Sequence, residues 1–147
     1  MHMHALKCFL AFAAAISTSA VAQTTVGEVL DAGGKKLTKE EVVTLVAGAN
    51  VSGPTTGGGQ FQSDYKADGT LTGTMQTTNM KGGARFGKWT VEDTGMLCTE
   101  ITTTIVKSSG AREDKTCAYW FRLSDKYFVA LDSDARETHV LERTVKR

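Results

Sequence analysis

The chain holds few of the residues that usually carry out chemistry. It has three histidines, three cysteines and one proline in 147 residues, and no long apolar run. The run Cys8–Ile16 is uninterrupted but falls far short of the roughly 20 residues needed to cross a bilayer. Lys7 before it and the small-x-small pattern Ala20-Val21-Ala22 after it read as a secretory leader, residues 1–22, cut before Gln23. His2, His4 and Cys8 then leave with the leader, and only His139, Cys98 and Cys117 remain. Cys8 follows Leu6-Lys7, which is no lipobox, so a soluble exported protein is expected rather than a lipoprotein.

Charge of one sign is lacking too. Seventeen basic residues face 16 acidic ones, and removal of Lys7 leaves no excess. Nucleic-acid binders carry a basic surplus, so that partner class is excluded. The only local cluster, Arg143, Lys146 and Arg147, reads as a solvated end. A hydrolytic triad needs a base oriented toward a nucleophile, and no nucleophile-elbow sequence accompanies His139. Carboxylate-pair hydrolysis is the residual enzymatic alternative, with Asp64, Asp68, Glu100, Asp132 and Asp134 as candidates. Most of these fall in expected turns, where Asp satisfies neighbouring amides. Asp132-Ser133-Asp134 lacks the remaining ligands of a calcium loop. The expectation is a non-enzyme without metal or cofactor.

What is present points to a small exported β domain. In an oxidising compartment Cys98 and Cys117 pair, since neither C-x-x-C spacing nor a nearby histidine favours redox or metal chemistry. Residues 23–36 read as a flexible lead-in and 37–147 as a single domain. Thr38 and Glu41 have capping-box spacing, and Leu37 with Val42 can staple the helix start. Val42, Leu45, Val46 and Ala49 form one apolar stripe, so a helix is expected over 38–47, stopped by Gly48. Residues 50–60 (NVSGPTTGGGQ) read as a flexible connection. Their glycines make no phosphate loop, because no Gly-Lys-Ser/Thr follows.

After residue 60 the period changes to two. Strands are expected at 60–66, 70–77, 84–91, 96–106, 115–122, 127–132 and 137–145, with Asp68-Gly69 the strongest hairpin signal. Short connections make neighbours antiparallel. The fold class is therefore α+β, mainly β: one short N-terminal helix on an antiparallel meander of about seven strands. An open sheet and a small closed barrel look alike at this level. If Cys98 and Cys117 are directly opposed, Tyr119 and Phe121 share their face, and Trp120 joins Leu97 and Ile101 on the other. Both faces then carry apolar surface. A helix covers the disulfide face, a bulge shifts the register, or an aromatic patch is exposed. Trp89, Tyr119, Trp120 and Phe121 are the candidate binding residues.

Leu45-Val46-Ala47-Gly48 with Gly53, Tyr65-Lys66-Ala67-Asp68-Gly69-Thr70 with Gly73, Gly87-Lys88-Trp89-Thr90-Val91, Leu97-Cys98 and Cys117 together resemble a group of short exported bacterial proteins of uncharacterised function. The resemblance implies a periplasmic setting and a β-rich fold with an N-terminal helix. It carries no active residues. The functional expectation is non-catalytic binding in the periplasm or outside the cell, of a protein partner in the manner of an inhibitor or immunity protein. The alternatives are a lipocalin-like carrier of a small apolar ligand and an envelope stress or structural factor.

Overall fold

The computed structural model describes residues 24–79, 82–105 and 110–147. The expected leader with its cleavage point, and the centre of the expected Lys107–Asp114 connection, lie outside the described residues. Two helices, α1 (Val26–Asp31) and α2 (Lys39–Val46), flank a two-residue strand β1 (Lys35–Lys36). Eight strands follow: β2 (Ala49–Pro54), β3 (Gln60–Tyr65), β4 (Thr70–Gln76), β5 (Gly82–Val91), β6 (Leu97–Ile105), β7 (Ala111–Leu123), β8 (Lys126–Leu131) and β9 (Val140–Lys146). From β2 to β9 each strand pairs antiparallel with the next, and β9 pairs back onto β2. The result is a closed eight-stranded up-and-down barrel, which leaves no long edge free. Strand β1 sits beside the end of β7, past the point where β6 begins.

Alternation builds two cores. Facing inward, Val51, Tyr65, Leu71, Trp89, Leu97, Ile101, Trp120 and Val129 pack with Leu37, Val42 and Val46. Helix α2 thus closes the barrel end where β2 starts and β3 ends. Its start is held by the expected box: Thr38 Oγ1 accepts from the Glu41 amide at 3.3 Å, and Glu41 accepts from the Thr38 amide at 2.9 Å. The Asp68 hairpin also forms, with Asp68 Oδ1 accepting from the Thr70 amide and hydroxyl. On the outer wall Phe121, Phe128, Ala130 and Val140 pack against Val26 and Val29 of α1.

The register of β6 and β7 runs unbroken from Leu97↔Ala118 through Cys98↔Cys117 to Thr104↔Ala111. No bulge intervenes there. Of the three ways to accommodate apolar residues on both faces, the chain uses a helix, but that helix is α1 rather than the one expected over 38–47.

Four expectations need correction. Residues read as a lead-in form α1 and β1. Thr25 and Glu28 make a second capping box, and a six-residue helix persists because it buries Val26 and Val29 completely. Each such burial contributes roughly 1.5–3 kcal/mol, which offsets the poor intrinsic stability of so short a helix. Residues 50–54 of the expected flexible connection belong to strand β2, so eight strands form the barrel rather than seven. Strand β7 starts at Ala111, not 115, and takes in much of the expected hairpin connection. Finally, Arg143 is no solvated end: it is 9% exposed and faces the barrel interior.

Candidate binding site

A cavity of about 170 Å³ lies inside the barrel, toward the end opposite α2. Its apolar wall includes Val51, Leu97, Ala118, Val129 and Leu141. The remaining wall is polar or aromatic: Phe61, Tyr65, Arg85, Trp120 and Arg143, with the threonines 55, 56, 99 and 116. None of the described lining residues is acidic.

The two arginines are positioned by a shared device. Register aligns Ser63 of β3, Gly73 of β4 and Arg85 of β5 in one row across the sheet. The Arg85 arm crosses β4 in the row of Gly73 and donates from Nη1 to Ser63 Oγ at 3.3 Å. Arg143 makes the mirror approach from β9. Pairing of β2 with β9 covers only Asn50↔Lys146 to Ser52↔Thr144, and the strands part at Gly53. A Cβ on Gly53 would lie 2.7 Å from the Glu142 carbonyl and 2.9 Å from Arg143 Nη1, so glycine suits both the backbone approach and the guanidinium beside it. Its Nη1 donates to the Pro54 carbonyl at 2.9 Å and to the Glu142 carbonyl at 3.1 Å, bridging the parted strands. Both guanidinium groups stack on the Phe61 ring, at 4.7 Å for Arg85 and 5.0 Å for Arg143.

Among the described residues neither arginine has an ion pair. Burial pushes Arg143 down to about 10, with Tyr65 pulling it back up and Arg85 pressing it further down. Burial lowers Arg85 as well, against upward pulls from Tyr65 and Asp114. Asp114 is itself bonded to Arg112 at 2.8 Å. Burial raises the Tyr65 phenol, and the two arginines partly offset that rise. At neutral pH the described lining therefore holds two cations and no anion. Arg85 Nε and Trp120 Nε1 are buried donors without a partner among the described residues. Buried polar groups are nearly always satisfied, so two orphan donors in one cavity wall call for an explanation.

The four residues singled out from the sequence do not come together. Trp120 lines the cavity at 2% exposure. Trp89 belongs to the closed end, where its indole donates to the Lys66 carbonyl at 2.9 Å and its ring tilts against Tyr65. Phe121 is buried beneath α1, and Tyr119 lies half-buried on the outer wall with Lys36 Nζ 4.0 Å above its ring. Cys98 and Cys117 are disulfide-bonded with Cα atoms 4.0 Å apart. Glu92 Oε1 stands 3.6 Å from the Cys98 sulfur, but bonded sulfurs leave that trio no thiolate for a metal.

His139 is remote from the cavity; its Nδ1 lies 3.2 Å from the Thr24 carbonyl, beside the bridge from Thr25 to His139. The carboxylates weighed for hydrolysis are scattered. Asp64 accepts from Asn50, Asp68 serves its turn, Glu100 faces Lys115 and Asp134 pairs with Lys36. The sequence reading missed Phe61, Tyr65, Arg85 and Arg143. Phase was the available signal: Arg85 falls in step with Gly87 and Trp89, and Arg143 in step with Leu141 and Val145, all facing inward.

No helix among the described residues is long and apolar enough to cross a membrane. Comparison with curated proteins and with solved structures finds no match. Residues 10–130 match the family described as "Protein of unknown function (DUF995)", and with most of its length covered the chain belongs to that family.

Proposed function

We propose that the protein is a non-catalytic binding protein of the bacterial envelope that holds a small molecule inside its barrel. The barrel cavity carries this reading: it is lined in part by apolar residues, supplied with unused donors, and backed by a plugged barrel end. Pockets that hold small ligands combine those features, a mostly apolar wall with a few placed polar groups. Among the described residues the lining offers no histidine and no carboxylate as a general base, which favours binding over turnover. Export rests on the leader-like residues 1–22 and on the Cys98–Cys117 bond. Inhibitor-type binding through the Tyr119/Phe121 face has less support, because α1 covers Phe121.

Native mass spectrometry on protein purified gently from the periplasm tests the reading. A retained adduct of small-molecule size, lost on denaturation, is the expected result. A bare chain, together with Trp120 fluorescence indifferent to every small amphiphile offered in a Trp89→Phe background, would overturn it.

A further inference from the structure

Resting on the binding reading above, we infer that the barrel takes a small carboxylate with an apolar body of about benzoate size, its head seated between Arg85 and Arg143. Two guanidinium groups converge on one Phe61 ring, from β5 and β9 on either flank of β3, each past a glycine of the intervening strand. Like charges held this way repel, and a ring face returns only about 0.5–2 kcal/mol for each. Burying an unpaired cation costs several kcal/mol, so such a pair persists where an anion completes it. No side chain lining the cavity supplies that anion, and the Arg85 Nε donor is left open. Planar carboxylates match the guanidinium fork, accepting two parallel hydrogen bonds.

Size and wall set the rest of the molecule. A cavity of about 170 Å³ is close to the ~150 Å³ apolar cavity that accepts benzene. Val51, Val129, Leu141 and the Trp120 ring offer the body an apolar bed. The unpaired Trp120 N–H offers one further donor to a ligand oxygen.

The test is a titration of the purified, disulfide-bonded protein with sodium benzoate, neutral benzamide of the same shape, and inorganic phosphate, read by calorimetry and tryptophan fluorescence. Benzoate is expected to bind saturably and at least tenfold more tightly than benzamide. Arg85→Met and Arg143→Met should each weaken benzoate tenfold or more while changing benzamide less than threefold. Arg85→Lys, which keeps the charge but not the fork, should fall between, and circular dichroism checks that each variant is folded. Equal binding of benzoate and benzamide, untouched by the arginine changes, would overturn the carboxylate assignment and leave the carrier reading standing. Phosphate displacing benzoate at equal concentration would show a bare oxyanion site and overturn the apolar body. Silence from all three probes and an adduct of neutral chemistry would overturn the assignment; silence with a bare chain would remove the carrier reading as well.

Discussion

Arg85 shows what a single residue costs when the fold leaves one of its buried donors unpaired. Arg85 is half-buried, stacks on Phe61, makes one long hydrogen bond to Ser63 Oγ and leaves its buried Nε without an acceptor. An unsatisfied buried donor costs about 1–3 kcal/mol. Arg85→Met keeps the length of the arm and removes both the charge and the orphan. The ligand-free variant should therefore melt a few degrees higher than the parent, by differential scanning calorimetry. A lower melting temperature would mean that the stacking on Phe61 outweighs the desolvation. Arg143 should behave otherwise, because it bridges two backbone carbonyls where β2 and β9 part, and its loss removes that bridge. Neither residue declares itself in a polarity pattern. An arginine at an inward phase looks like an irregularity in the alternation until the register shows which glycine it crosses.

At the level of elements, what could be read depended on how local the cause was. Helix α2 is set by its own cap and stripe, and the Asp68 turn by its own side chain, so both were visible in a few residues. Helix α1 carries the same kind of cap in Thr25 and Glu28 but lacks length, and contacts remote in sequence, with β7, β8, Val140 and residues 136–138, make it worth forming. Strand β2 was hidden by Gly53 and Pro54, which ordinarily mark a loop. Here glycine admits the Arg143 side chain, and proline stands at the strand end, beyond the last β9 partner.

Two mutational outcomes belong at this scale. Thr25→Ala removes an N-cap worth about 1 kcal/mol. It should speed amide exchange in 26–31 and around Phe121 and Phe128, with the cavity residues unchanged. Cys98→Ser and Cys117→Ser should lower the melting temperature about equally, and the double variant should add little, because each alone already breaks the same bond. Closure of so short a loop contributes roughly 3 kcal/mol in the chain-entropy model. Clearly additive losses would show that the sulfurs are not joined.

For the molecule as a whole, closure is the property the sequence does not announce. Alternation in β3 to β8 is the same in an open sheet and in a ring. The decision lies in one pairing, β2 with β9, between segments remote in the chain. The acid response is likewise collective. Glu28 and Glu41 are held below their usual 4.5, Glu28 by hydrogen bonds from Thr24 and Glu41 by Lys35 and the Thr38 amide. Asp68, Asp93 and Asp134 are held below 3.8, by Thr70, Lys39 and Lys36 respectively. Groups lowered on folding stabilise fully above their unfolded values, and that share is lost as pH falls through the folded ones. The melting temperature should therefore be level as pH falls from 7 to about 5 and decline progressively below about 4.5. A decline already complete above pH 5 would point to other groups.

The short β2–β9 seam also orders events in time. Every other barrel pairing joins strands adjacent in sequence, so each hairpin can form as it leaves the ribosome or a translocation channel. A chain whose synthesis has not reached residue 140 lacks β9, and β2 and β8 then stand as bare edges able to recruit a neighbour. Arrival of seven residues, Val140–Lys146, removes both edges at once. The interval before that arrival is when the chain most needs a chaperone.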